Sequence, residues 1–383
     1  MRICFVLTAP FALNAFVAPA IRALLIQGWQ ITAVLNTASG KVADDIARDI
    51  EIIDLNIARA ISPLNDLRVL FQLVRLFQSR QFDIVHSLMP KSGLLAMVAA
   101  RLAGVKVRIH TFTGQVWVTR RGPMRWLLKA LDWVLARCAT ALLADSVSQR
   151  EFLVNVGIVS SNKMQVLAKG SVCGADVTRF KPQPVWRSEI RIELGIASDA
   201  VVLIYVGRMH LEKGVVALVQ AFNRLAADFP SIHLVLVGPD EGALTPALAE
   251  AASCVTRVHC AGLTTQPEKY LAAADIFCLA SYREGFGLSI IEAAAAGLPC
   301  VAHKIYGVTD AVVDGVTGLL VPARDVDAFV QAIAELVERP DIRENMGLAA
   351  IQRVRQNFSQ TVVVQAWFDF YERQLALSDP SNN

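Results

Sequence analysis

The chain lacks the signatures of a metal site and of the common nucleotide-binding loops. Its six histidines show no HExxH pattern, and none of its seven cysteines pairs at CxxC spacing. Cys4, Cys138, Cys173, Cys254, Cys260, Cys278 and Cys300 lie mostly in apolar runs, the pattern of buried reduced thiols in a cytosolic protein rather than of a zinc site or disulfide framework. A Walker-type GxxxxGK followed by Ser or Thr is absent, and so is GxGxxG, which argues against a P-loop and a dinucleotide turn. No run reaches the ~18 unbroken apolar residues of a membrane span. Residues 3–21 carry no charge and follow Arg2, as in a signal peptide. Pro10, Asn14 and Pro19 interrupt them, however, and a short apolar strand followed by a turn is how an α/β domain opens.

What is present is ample core material. With 383 residues, 54% hydrophobic and 19% charged, the chain predicts two domains and little disorder. The net charge of +3 conceals an asymmetry. Residues 1–180 carry 21 Lys+Arg against 11 Asp+Glu, and residues 181–383 carry 16 against 23. Only the basic half is then suited to an anionic surface or acceptor. The basic residues are scattered and no nucleic-acid signature accompanies them, so no nucleic-acid partner is expected, whereas an anionic membrane surface fits.

Short apolar runs alternate with helical patterns along the chain. Strands are expected at residues 2–7, 29–35, 83–86, 105–111 and 140–144, with helices between them, the first capped by Asn14. The pattern breaks at Phe180–Pro184, read as a linker, and restarts with strands at 201–206, 232–237, 255–260, 275–280 and 298–302. The fold class is therefore α/β, two successive Rossmann-like doubly wound parallel-sheet domains facing across a cleft. Residues 1–178 form the first domain and 179–360 the second, and 361–383 form a C-terminal helix crossing back to the first.

Chemistry concentrates in the second domain. Glu284 lies in a glycine-flanked turn, and Glu292 on a helix that starts near Gly287. Bare N–H groups at that start favour an anion, and Gly285 and Gly287 allow close approach to the main chain. Arg208 and Lys213 follow directly from a strand's carboxyl end, between Gly207 and Gly214. A guanidinium fork and an ammonium point charge there suit a diphosphate. Gly238-Pro239 and Gly262-Leu263-Thr264 end further strands on the same side. Each alone reads equally well as a structural turn.

Together these residues resemble the family-4 retaining glycosyltransferases of the GT-B fold. The resemblance rests on Gly207-Arg208 with Lys213-Gly214, on Val237-Gly238-Pro239, on Glu284 and Glu292 at E-x7-E spacing, and on Asp314 through Pro322. It implies transfer of a sugar from a nucleotide donor with retained anomeric configuration, no cofactor and no metal. By the same resemblance Arg208 and Lys213 neutralise the diphosphate and Glu292 takes the ribose hydroxyls. Glu284 with the amides of Gly285, Phe286, Gly287 and Leu288 holds the sugar. Gly207, Gly238, Pro239 and Leu263 complete the donor side.

The first domain is then the acceptor side. Residues 107–117 put His110 at a strand's carboxyl end before Thr113 and Gly114, and the resemblance gives His110 a catalytic place beside the sugar. Thr8 and Asn14 flank the first strand–helix loop, where the family often carries glycines and this chain does not. Residues 120–135 mix arginines with Trp126 and Trp133 on a mostly apolar helix. That helix reads either as interfacial, at the inner face of the cytoplasmic membrane, or as packed on the sheet with a basic rim. The function expected is transfer from a UDP-sugar, such as a UDP-N-acetylhexosamine, to a lipid-linked or surface-polysaccharide acceptor. The competing readings are a nucleotide-sugar epimerase or hydrolase of the same fold, or a non-catalytic nucleotide-sugar binder.

Overall fold

The computed structural model describes residues 1–58, 60–251 and 255–378; Cys254 lies outside them. The chain divides into two compact units, one of residues 1–173 together with the stretch from Gln360, the other of residues 174–359.

Among its described residues the first unit is built on seven strands: β1 (Arg2–Val6), β2 (Gln30–Leu35), β3 (Glu51–Asp54), β4 (Ile84–Leu88), β5 (Val107–Phe112), β6 (Ala141–Ala144) and β7 (Met164–Val166). They pair in the order β3-β2-β1-β4-β5-β6-β7, every pair parallel. Parallel strands need crossovers, and helices supply them on both faces, so the central strands are apolar on both sides. Side-chain alternation divides β1 accordingly. Ile3 and Phe5 join a core with the Ala18–Ile26 helix and the C-terminal Gln360–Ser378 helix. Cys4 and Val6 face the opposite layer of Pro63–Arg80, Pro90–Leu102 and Gly122–Cys138, where Pro90–Leu102 packs between the other two.

A buried polar network fastens the C-terminal helix to this sheet. The His86 ring bridges the Tyr371 hydroxyl (2.7 Å, Nδ1) and Thr111 Oγ1 (2.8 Å, Nε2), and Trp367 Nε1 donates to the Val172 carbonyl at 2.7 Å. Burial holds His86 well below the usual imidazole range, so it is a neutral ring with both nitrogens satisfied.

Among its described residues the second unit has six strands: β8 (Val201–Val206), β9 (Ile232–Val237), β10 (Val258–Gly262), β11 (Ile276–Leu279), β12 (Cys300–His303) and β13 (Gly318–Val321). Their order is β10-β9-β8-β11-β12-β13, again all parallel. The chain order reverses at β8, between β9 and β11, and in open sheets such a switch point is where ligands bind, beyond the strands' carboxyl ends. The Val215–Asp228 and Leu288–Ala295 helices leave from the loops there.

Three local expectations are corrected. Asn14 caps no helix: it lies in a π-helical turn, Leu13–Val17, and its amide reaches sideways to the Lys41 carbonyl and the Ala43 N–H, at 3.0 Å each. The helical run already starts at Pro10, so Asn14 lies inside it, past the first turn where unpaired N–H groups need a cap. Pro184 is not linker but the first residue of the Pro184–Glu193 helix, where its missing N–H costs nothing. The edge strands β3 and β7 were not expected. At four and three residues, and only partly buried along most of their length, they lack the uniform apolar signal of the central strands.

Candidate functional site

The loops leaving β8, β9 and β10 are stitched together by main-chain bonds. Gly207 donates to Val237 O (2.9 Å), Gly238 to Gly262 O (2.8 Å) and Met209 to Pro239 O (2.9 Å). The Tyr205 hydroxyl donates to the Arg208 carbonyl at 2.8 Å, fixing the start of the loop that carries both cations. Leu263 lies on the loop after β10 with an exposed side chain.

The loop after β11 is tied to the loop after β8. Tyr282 N–H donates to Glu212 O (2.9 Å), and Arg283 pairs with the Glu212 carboxylate (2.8 Å). Lys213 Nζ meets Glu284 Oε1 at 2.6 Å, with both side chains largely shielded from water. Arg208 Nη1 meets Glu241 Oε2 at 2.6 Å. The structure thus brings Arg208, Lys213 and Glu284 to one edge of the sheet. It also adds residues that the sequence did not single out: Tyr205, Glu212, Arg283 and Glu241.

Gly287 is the N-cap of the Leu288–Ala295 helix, at φ 90°. The Phe286 ring is buried against Phe358 (centroids 5.1 Å apart), so that residue has only its backbone to offer a ligand. Glu292 sits further along the helix, and burial pushes its carboxyl up to about 8, opposed by the Arg179 guanidinium and assisted by Glu268. Arg179 itself donates to Glu268 and to the Thr265 carbonyl, both at 2.7 Å.

This carboxyl gives a pH test. Its pKa in the folded protein lies above the unfolded value of 4.5, so the folded state holds the proton more tightly. The stability it contributes is complete below about pH 4.5 and is lost as pH rises through about 8. Thermal melting of the wild type should therefore fall relative to Glu292→Gln between pH 5 and pH 8. Parallel curves would show that Glu292 titrates normally.

In the first unit, β5 runs on to Phe112, so His110 does not end the strand. Its ring is 1% exposed, with Nδ1 2.9 Å from the Ser87 hydroxyl, and its near edge fills the space beside Gly93, where a Cβ would overlap the imidazole. Burial lowers its pKa to about 3. The strand's pleat turns His110 onto the helix layer, so the side chain lies under the rim instead of on it. Thr113 and Gly114 follow β5 directly, with Thr113 half-buried. The Thr8 hydroxyl lies 3.0 Å from Met89 Sδ, across the loops after β1 and β4. Asn14 is engaged as described above.

The Gly122–Cys138 helix packs on the unit by one side, as the second reading of residues 120–135 has it, and leaves apolar residues exposed elsewhere. One side is buried through Asp132, Leu135, Ala136 and Cys138. Asp132 accepts from Trp117 Nε1 at 2.7 Å, and burial raises its pKa to about 6. The other side exposes Met124, Trp126, Leu127, Trp133 and Val134. Arg137 lies 4.5 Å over the Trp133 ring, and Lys129 lies 5.9 Å from that of Trp126. Two helices away in the same layer, Pro63–Arg80 exposes Leu64, Leu67 and Phe71 beside Arg68 and Arg75. Among the described residues no helix is long and apolar enough to cross a membrane.

Comparison with known proteins identifies the class. Residues 187–353 match the family model "Glycosyl transferases group 1", and residues 12–170 match "Glycosyl transferase 4-like domain". The chain is 31% identical over 311 residues to a D-inositol 3-phosphate glycosyltransferase of Kribbella flavida, covering 76% of this chain and 71% of that one. It is 28% identical over 327 residues to the capsular polysaccharide biosynthesis glycosyltransferase CapM of Staphylococcus aureus (84% of each). It is 28% identical over 288 residues to an Escherichia coli UDP-Gal:alpha-D-GlcNAc-diphosphoundecaprenol alpha-1,3-galactosyltransferase (74% of this chain, 73% of the other). Among solved structures, the sucrose-phosphate synthase of Thermosynechococcus elongatus superposes with a TM-score of 0.83 at 20% identity, covering 98% of this chain and 100% of that one. Anabaena HepE in complex with UDP-glucose gives 0.79 at 20% identity, covering 97% and 100%. The chain belongs to the group 1, family-4 glycosyltransferases, with the GT-B fold.

Proposed function

We propose that this transferase moves a sugar, with retention and without a metal, from a UDP-sugar to a lipid-linked or cell-surface polysaccharide acceptor. The observation that carries the donor half is the convergence of Arg208, Lys213 and Glu284 beside a helix N-terminus at the switch point of the second sheet. A departing nucleoside diphosphate gains negative charge as the glycosidic bond breaks. Two cations and bare N–H groups held in fixed loops stabilise that charge without reorganising. Lys213 has three N–H donors, so its ammonium can reach a phosphate oxygen while keeping Glu284 in place to accept from a sugar hydroxyl. Glu292, protonated over much of the neutral range, can both donate to and accept from ribose hydroxyls. UDP as the nucleotide draws support from the E. coli relative and from the HepE complex, whose names carry it. Titration calorimetry with UDP, GDP and ADP tests this half: UDP should bind and the others should bind more weakly or not at all.

The acceptor half rests on the first unit. We assign Thr8, Thr113 and Gly114 to its rim and make His110 a support beneath that rim. The outward faces of the Gly122–Cys138 and Pro63–Arg80 helices combine exposed aromatic and aliphatic side chains with arginines, the composition of a surface that rests on anionic lipid. In both helices the exposed apolar residues begin in the first turn, the end nearest the strands' carboxyl edge, so a lipid-linked acceptor would be held beside the rim. The fold of this unit does not depend on Trp126 or Trp133, both exposed. Their joint replacement by alanine should therefore leave melting unchanged. It should lower co-sedimentation with phosphatidylglycerol vesicles about tenfold, since each buried tryptophan contributes on the order of 1–2 kcal/mol of which only part is realised at an interface. Equal sedimentation of variant and wild type would remove the membrane from the account without touching the donor site.

A further inference from the structure

We infer that Glu241 is a competing counter-ion for Arg208, a built-in placeholder that the donor's diphosphate must displace and that promotes departure of the nucleoside diphosphate product. The inference rests on the reading of Arg208 as a diphosphate ligand. The two side chains meet at 2.6 Å, each about one-third exposed. Glu241 has no place among the groups assigned to sugar or ribose, and its charge is of the same sign as the ligand that Arg208 is to bind.

The loop that presents Glu241 is held from both sides. Met209 N–H donates to Pro239 O at 2.9 Å, and Gly242 N–H donates to Met209 O at 3.1 Å. The Asp240 carboxylate accepts from the Leu244 and Thr245 N–H groups, at 2.8 Å each. The backbone on either side of Glu241 is therefore bonded to the very loop that carries Arg208. A diphosphate arriving at the guanidinium cannot push this loop away without breaking those bonds. It competes with the Glu241 carboxylate for the guanidinium, and that carboxylate stays close to the phosphates. Lys213 and Glu284 differ in kind, because that carboxylate is itself assigned to the donor sugar and the ammonium can serve both.

Glu241→Gln keeps the shape and removes the charge. It should tighten UDP binding by about three- to fivefold, the range for a partly exposed ion pair, and strengthen product inhibition by UDP equally. Uridine should bind both proteins alike, because it carries no phosphate. The difference for UDP should shrink as NaCl is raised from about 50 to about 500 mM. Glu241→Ala, measured alongside with its melting curve, should behave like Glu241→Gln. Unchanged UDP affinity would overturn the inference. So would weaker binding, which would make Glu241 a support for the Arg208 geometry, and so would an equal change for uridine. If wild type binds no nucleoside diphosphate at all, among UDP, GDP and ADP, the donor-site reading falls and this inference with it. Binding with an unaltered wild-type-to-variant ratio removes this inference alone.

Discussion

Lys213→Ala should lower kcat by about 10²–10³, the loss typical of one preorganised group facing developing charge. The ammonium sits 2.6 Å from Glu284, and its removal has two consequences that the measurement must separate. On the proposed donor geometry, it deletes a cation from the departing diphosphate. It also leaves the Glu284 carboxylate, largely shielded from water, without its partner, which costs stability. A melting curve reads the second effect and single-turnover transfer reads the first. Lys213→Arg should restore much of the stability, because it keeps the charge. It should restore less of the rate, because the guanidinium is a planar fork where the site has accommodated a compact point charge. A Lys213→Ala enzyme that turns over within threefold of wild type would take Lys213 out of the site.

The second large effect is structural. Gly214 sits at φ 68°, ψ 19°, where it ends the Leu211–Lys213 turn and opens the Val215–Asp228 helix. A Cβ there would overlap the main-chain carbonyl of Ala280, at the end of β11, and a backbone atom has no rotamer to yield. Gly214→Ala should therefore cost about 3 kcal/mol, lowering the melting temperature of the second unit by roughly 6–12 °C. It should also weaken UDP binding, since relief of the overlap has to part the loop carrying Lys213 from the loop carrying Glu284. Gly315→Ala separates conformation from collision. That residue has φ 73° but open space where the Cβ would go, so its cost should stay near 1 kcal/mol. Equal costs at the two positions would show that the Gly214–Ala280 approach is not what requires glycine.

The sequence exposed the architecture because buried parallel strands are uniformly apolar and their crossover helices are punctuated by Gly and Pro. The cluster of Arg208, Lys213 and Glu284 was legible for a related reason. Gly207, Arg208, Lys213 and Glu284 follow the ends of β8 and β11 within a few residues, so local spacing carries them to one edge. The first unit was less open. A strand buried on both faces does not reveal which way each of its polar residues points, and in β5 (VRIHTF) His110 faces Ser87 and Gly93. Asn14 misled because a cap and a cross-loop hydrogen bond use the same amide. Glu241 could not be read at all. It lies 33 residues from Arg208, and only the pairing of β8 with β9 brings their loops together.

On the proposed reading the second unit binds a UDP-sugar for transfer, with Arg208, Lys213, Glu284 and Glu292 as its grip. Incubating the purified protein with a panel of radiolabelled UDP-sugars and a lipid-linked oligosaccharide extract tests it most directly, with label followed into the organic phase. Label from one UDP-sugar should appear in an α-linked lipid product, and Glu284→Gln and Lys213→Ala should abolish it. Free labelled sugar or an epimerised UDP-sugar formed without acceptor, and no labelled lipid, would contradict the proposed reading.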